Sequence, residues 1–323
     1  DVEKSMDNMI SSCLPKDESM SLVSGMRYAV FPAGKRIRSK LCIASAIDIA
    51  KNSPADTPRS EINLELLVRS AAAVELIHCA SLVHDDLPIF DNSGLRRSKP
   101  TTHVAYGAPL AVLIGDALIA LAYETILHPE AADESSSNSN ANSQKQLLLL
   151  RCLSEALLPP DGIIAGQAME QSEVVDLDAY HQRKSAALFL AAIKMALINM
   201  TPLDQVKGLL NAESQTTPQS YATWLTIGEK VGMCYQTIDD AIDRHAPSDI
   251  GKDLGKDNEL GRPTSAKETT ETSVHHILKK MDELRALLET VADEKSSLTL
   301  NVIKQTVESG ASSLSSGVHD QFV

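Results

Sequence analysis

Two clusters of acid interrupt apolar runs in this sequence. The first is Asp85 and Asp86 followed by Asp91, in SLVHDDLPIFDN; the second is Asp239 and Asp240 followed by Asp243, in YQTIDDAID. Carboxylates closing apolar runs repel one another and lose solvation, so they require a compensating partner. Mg2+ is a natural one, because it takes oxygen ligands, usually one or two carboxylates completed by water and substrate phosphate. Asp239 and Asp243 stand about 40° apart on a helix and share a face. Asp91 falls on the wrong face of a continued helix, but Pro88 stops the helix and lets Asp91 fold back from a loop. A solvated cap or an ion pair explains either cluster alone. Two of them, each ending an apolar helix, are poorly explained that way.

Metal at two acidic sites implies an anionic ligand, most simply a phosphate. Three basic stretches match it: RRSKPT with Arg96, Arg97 and Lys99; GKRIR with Gly34, Lys35, Arg36 and Arg38; and GKDLGKD with Lys252 and Lys256. Arginine is the bidentate choice for such a group, and a helix start adds backbone N–H donors. GKRIR lacks the spacing of a nucleotide-binding P-loop. Each stretch alone reads as a solvated basic face. Together with the acids they imply two diphosphate-sized anions in one helical cavity.

The elements that must position these groups are helices. Residues 20–50 read as two helices broken at FPAGK, residues 63–87 as a third, and residues 109–127 as a fourth with Pro109 in its first turn. Apolar helices recur at 184–200 and 221–242, an amphipathic one spans 275–290, and 244–264 is a Gly/Pro-punctuated loop. No alternating strand pattern is evident. The Ser/Asn-rich segment 128–146 reads as a disordered insertion within one domain spanning 1–323. Only 3% of residues are aromatic, so the core is aliphatic.

A net charge of −13 excludes nucleic acid and anionic membrane as main partners. Five scattered cysteines without a CxxC pair point to a reducing compartment. The stretch AALFLAAIKMALINM contains Lys194 and falls short of the roughly 20 apolar residues of a bilayer span.

At this point the motifs resemble those of the trans-isoprenyl diphosphate synthases of short-chain type, the geranylgeranyl and farnesyl diphosphate synthases. HDDLPIFDN is similar to the family's first aspartate-rich motif in its longer form, and YQTIDDAID to the second. AGKRIR, ELIH, GDAL, AGQ, KSAAL and GKDLGKD follow in the family's order, over roughly residues 20–265. The resemblance implies an all-α bundle around a deep apolar cavity. It implies that Asp85, Asp86, Asp91, Asp239 and Asp243 hold Mg2+, three ions with bound diphosphate, while Asp240 lends support. Arg96, Lys184 and Lys252 would contact the allylic diphosphate, and Gly34, Lys35, Arg38, His78 and Arg97 isopentenyl diphosphate. Ser185 and Gln236 would stabilise the allylic cation, and Lys256 would help close a loop. Taken without the resemblance, His78 reads as a satisfied core histidine.

The implied reaction condenses isopentenyl diphosphate with dimethylallyl, geranyl or farnesyl diphosphate. Ala80 and Ser81, five and four positions before the first aspartate, are small. In this family that leaves room for a C20 product, with other lengths open. Departures are Ala33 and Ser39 where glycine and proline are usual, Ser185 for threonine and Glu170 for aspartate. The family also implies a homodimer or a pair with a related subunit. The plastid is preferred to the cytosol as its compartment. Rival readings are a regulatory subunit of a heteromeric synthase, whose acidic motifs are typically lost, and a class I terpene cyclase, whose second metal motif differs from DDAID.

Overall fold

Helix α4 (Leu64–Asp85) carries aliphatic and small side chains on nearly every face and is buried from Leu66 to Val83 with few interruptions. A helix apolar all round has to be surrounded by others. The computed structural model describes residues 1–13, 21–31, 34–53, 62–128, 139–172, 176–209, 219–245, 264–266, 269–293 and 296–311. Before α4 come α1 (Val2–Ser12), α2 (Ser21–Val30) and α3 (Ile37–Asn52). After it come a hairpin of β1 (Leu95–Arg96) and β2 (Lys99–Pro100), then α5 (Thr102–Tyr106), α6 (Ala108–Leu127), α7 (Ser139–Leu157), α8 (Ile163–Met169) and α9 (Leu177–His181). A π-helical turn, Gln182–Ala186, leads into α10 (Ala187–Met200), followed by α11 (Leu203–Leu209), α12 (Gln219–His245), α13 (Thr270–Glu289) and α14 (Leu298–Ala311). α4 packs on α6, α3, α10 and α1, while α10 packs on α3, α12 and α7. One aliphatic core runs through all of them.

Side chains fix where helices begin. The Asn63 carboxamide accepts from the Leu66 N–H at 3.0 Å, and Thr269 forms a capping box with Thr272. Asp48, on α3, reaches across the fold to accept from Ser297 Oγ at 2.8 Å, Leu298 N at 3.1 Å and Thr299 N at 2.9 Å. The start of the last helix is thereby tied to the third, far away in sequence. The π turn lies hard against α8: a Cβ on Gly166 would sit 2.3 Å from the Lys184 backbone nitrogen, so only glycine allows this approach.

The all-α expectation holds apart from the hairpin, whose strands are too short to register as alternation. The expected insertion is corrected at its end: residues 139–146 are helical, forming the start of α7, and residues 129–138 lie outside the described residues. Tertiary contacts overcome the weak helix propensity there. Lys145 is buried with Nζ 3.1 Å from the Asn199 carbonyl, and Gln146 donates to the Ile126 carbonyl at 2.9 Å. Two helices, α4 and α6, have the length and apolarity of a bilayer span, as a core helix of a bundle also can. For α4, 78% of that apolar window is buried in the bundle, whereas for α6 the figure is 44%. Val112, Leu113 and Leu127 of α6 are exposed as a result.

Candidate active site

α4 ends where the sequence changes from aliphatic to acidic. Asp86 and Leu87 close the last turn by donating to the Leu82 and His84 carbonyls, and the chain turns at Pro88. The Asp91 N–H then donates to the Asp85 carbonyl at 2.9 Å, so the loop does bring the third acid back to the first. Burial pushes the Asp85 carboxyl up to about 6; the Lys184 ammonium opposes that shift, and the like charges of Asp91 and Glu170 add to it. The negative end of the α4 dipole also lies here. These acids leave a negative site that a cation would relieve.

Asp86 is placed differently. It is 2% exposed, and both its oxygens are taken by Arg96, with Nε at 3.0 and 2.8 Å and Nη2 at 2.7 Å. The adjacent acids and arginines of the first motif therefore neutralise each other in part, a pairing that the sequence did not announce. The hairpin is the cause. Its two-residue turn aligns Arg96 with Lys99 and swings the Arg96 side chain back onto the end of α4.

On α12, Asp239 and Asp243 are half-buried one turn apart. The charge of Asp239 reaches Lys35, Arg38 and Arg96, which links the second acidic motif to both basic segments. Asp240 points inward and is 2% exposed. It accepts from Gln236 Nε2 at 2.6 Å and from Ser265 N and Oγ at 2.6 and 2.7 Å, and His181 Nε2 lies 3.5 Å away. These contacts make it a brace between α12, the segment at Ser265 and the π turn's neighbour His181. Its bond orients the Gln236 amide so that Oε1 accepts from Ser185 Oγ.

Ser185 and Lys184 both sit on the π turn, a local distortion that often marks functional positions. Lys184 pairs with Glu170, which also accepts from Tyr180 Oη and, at 2.8 Å, from Gln167 Nε2. Glu170, a mere departure from the family pattern in the sequence, is a buried carboxylate whose charge acts on Asp85. Its spacing after AGQ was the available signal.

The basic segments meet at the starts of α3 and the hairpin. A Cβ on Gly34 would lie 2.4 Å from Arg97 Cζ, so the guanidinium rests directly on the glycine backbone. Arg97 and Ser98 both have positive φ, 54° and 59°, the geometry of a tight hairpin turn that non-glycine residues adopt only under strain. Arg38 is 7% exposed, stacks 4.5 Å over Phe189, and has a buried Nε with no hydrogen-bond partner. Burial, together with Arg38, Arg97, Arg96 and Arg36, holds the His78 imidazole well below its usual value and therefore neutral. So much buried positive charge around an unpartnered donor fits an anion.

Arg36, by contrast, is closed off by Glu3 and Glu75. Lys252 and Lys256 lie outside the described residues. Ala80 and Ser81 separate: Ala80 is 1% exposed within the core, while Ser81 is half-buried one turn beneath Asp85. Among the described residues no three His, Cys, Asp or Glu side chains converge closely enough to cage a metal ion. The all-oxygen donor set on two helix ends still fits Mg2+, which needs only one or two carboxylates beside a phosphate.

Comparison with known proteins places these features. The family described as Polyprenyl synthetase matches residues 20–307. A geranylgeranyl diphosphate synthase of Cereibacter sphaeroides is 35% identical over 268 residues, 83% of this chain and 81% of that protein. A probable farnesyl diphosphate synthase of Bradyrhizobium diazoefficiens is 33% identical over 272 residues, 82% of this chain and 72% of that protein. In structure, a geranyltransferase from Helicobacter pylori, solved with magnesium and isoprenyl diphosphate, superposes with a TM-score of 0.68 at 22% identity, covering 95% of each chain. That likeness establishes the helical-bundle fold.

Proposed function

The chain belongs to the polyprenyl synthetase family and is a prenyltransferase, and from that premise we propose that it makes geranylgeranyl diphosphate from isopentenyl diphosphate and allylic diphosphates with Mg2+. The observation supporting this reading is a pair of acidic helix ends with a buried basic cluster, in which Arg96 closes on Asp86 of the first motif and Gln236, beside the second, bonds to Ser185 next to Lys184.

Asp85 and Asp91 on one side and Asp239 and Asp243 on the other would hold Mg2+, three ions with diphosphate bound. Bound magnesium supplies charge neutralisation of the leaving diphosphate. Lys184, oriented by Glu170, and Arg96 add to it from the protein, and Lys252 completes the set. Asp86 orients Arg96 through its carboxylate, and would reach metal with its remaining lone pairs. Arg38, Arg97, Lys35 and neutral His78 seat the second diphosphate, with the Gly34 backbone against Arg97.

As the allylic C–O bond breaks, positive charge spreads over the allyl carbons. Gln236 Oε1 and Ser185 Oγ present fixed dipoles to it. The isopentenyl double bond attacks the cation, forming the new C–C bond. The proton lost afterwards goes to the released diphosphate, so no protein base is assigned. The aliphatic helices exclude water that would quench the cation. Beneath Asp85, Ser81 is small, which favours a C20 product over a shorter one.

The exposed apolar residues of α6, Val112, Leu113 and Leu127, favour a second subunit covering that helix, either another copy or a related chain. Four of the five cysteines are buried and all are free thiols, in keeping with a reducing compartment.

The test is incubation of the purified chain with Mg2+, isopentenyl diphosphate and each allylic diphosphate in turn, with product length read by mass spectrometry. A C20 product is expected, formed best from farnesyl diphosphate. No product from any pair refutes the reading. A requirement for a second subunit moves it to a heteromeric synthase.

A further inference from the structure

Arg36 lies in the middle of the basic segment, between Lys35 and Arg38, yet its side chain turns away from them. Nε donates to Glu3 Oε1 at 2.7 Å, and Nη2 donates to Glu3 Oε2 at 3.3 Å and to the Val30 carbonyl at 2.7 Å. Nη1 is 3.6 Å from both Cys79 Sγ and Glu75 Oε1. The guanidinium, 5.7 Å from the Phe31 ring centroid, is 7% exposed. One side chain thus joins α1, the end of α2 and α4. Its backbone is the N-cap of α3 and is left-handed, at φ 51° and ψ 42°. A branched-free but bulky side chain gains nothing from that conformation, which persists only where surroundings impose it.

Ser39 extends the same network. Its N–H donates to Glu75 Oε2 at 3.3 Å and its hydroxyl to the Arg36 carbonyl at 3.1 Å. Proline, the residue the resemblance leads one to expect at this position, has no N–H to offer. The departure from the family pattern therefore coincides with an added bond to the carboxylate that faces Arg36.

We propose that Glu3, acting through Arg36, is a positioning residue for the basic diphosphate site: the Glu3–Arg36–Glu75 clasp holds the left-handed turn that sets the direction of Lys35 and Arg38. This rests on the reading of that cluster as the seat of isopentenyl diphosphate. It makes the first helix part of the site even though none of its residues reaches the substrate. Glu3 is the informative member, because its side chain is 40% exposed, against 2% for Glu75, whose removal would disturb the core.

The test uses the full chain and two variants. Glu3→Gln removes the charged half of the clasp while keeping its size. Asp7→Asn loosens the other ion pair of α1, Asp7 with Arg27, without touching Arg36. Isopentenyl diphosphate is titrated calorimetrically in EDTA, where metal cannot bridge it to the acids, and KM for each substrate is measured with Mg2+. Glu3→Gln should weaken isopentenyl diphosphate binding about fivefold and raise its KM alike, with the KM of the allylic substrate unchanged within about twofold. Asp7→Asn should leave both constants unchanged. Equal binding by Glu3→Gln and the parent overturns the proposal. So does a parallel rise in both KM values with a lowered melting temperature, the signature of a merely structural role. A parent that binds isopentenyl diphosphate but forms no product refutes the proposed function, while the same titrations still decide the clasp. A parent that binds none overturns both.

Discussion

The Arg96 guanidinium closes on both carboxylate oxygens of Asp86, while Asp85, the next residue back, is pushed up to about 6 by burial. Burial raises both adjacent aspartates of the motif, and they differ in that the carboxylate of Asp86 is held by an arginine. Asp86→Ala should lower stability by about 3 kcal/mol in urea melts, because it strands a partly buried arginine. Asp85→Ala should not lower it. An unchanged midpoint for Asp86→Ala would show that the pair contributes little to the fold.

Asp85 also gives a pH signature with a definite sign. Its folded value of about 6 exceeds the ordinary 3.8, so between those values the native state holds more protons than the unfolded chain. Stability from this group is therefore lost as pH rises from about 4 to 6. Without metal, Asp85→Asn should stabilise the protein at pH 7 by on the order of 1 kcal/mol and flatten that slope. Turnover should fall by roughly 10²-fold or more, because charge stabilisation at the departing group is lost. Urea melts in EDTA at pH 4.5 and 7, beside a product assay, check both parts; a destabilised variant contradicts the first.

His78 responds to the opposite charge. Burial and its arginine neighbours depress its value, so the unfolded chain binds a proton near pH 6 that the folded one refuses. In the ligand-free protein the stability this group contributes should be lost as pH falls below about 6.5, against the opposite slope from Asp85. A diphosphate seated among Arg38, Arg97 and His78 should raise the imidazole value again. Histidine NMR titration in EDTA, with and without isopentenyl diphosphate, measures the shift. No movement on binding would place the ligand elsewhere.

The acidic motifs and the helices that carry them were legible because both are local. Asp239 and Asp243 share a face by spacing alone, and Pro88 announces the return of Asp91. What the sequence concealed is long-range. Nothing adjacent to Arg96 or Asp86 marks them as partners, since a two-residue turn at Arg97 and Ser98 makes the pairing, and that turn lacks the usual Asn-Gly. Arg36 looks equivalent to Lys35 and Arg38 until Glu3 and Glu75 occupy it. The start of α7 looked disordered because Ser and Asn prefer other conformations, and only the burial of Lys145 and its bond to Asn199 reverse that preference.

Product length tests the geometry most sharply, because the structure separates two residues that sequence treats as a pair. Ser81 precedes Asp85 by four positions, about one helical turn and roughly 40° round the helix, so it lies beneath the carboxylate proposed to hold metal at the allylic diphosphate. Ala80 is turned away and packed in the core. A phenylalanine at each position should therefore fail in different ways. Ser81→Phe should fill the space under Asp85 and shift the main product from C20 to C15, with turnover on geranyl diphosphate retained. Ala80→Phe should overpack the core, costing about 1–3 kcal/mol, and lower activity on all substrates together. Mass spectrometry of products and urea melts on both variants distinguish the two effects. If Ser81→Phe keeps the parental product length, the growing chain takes another path through the bundle.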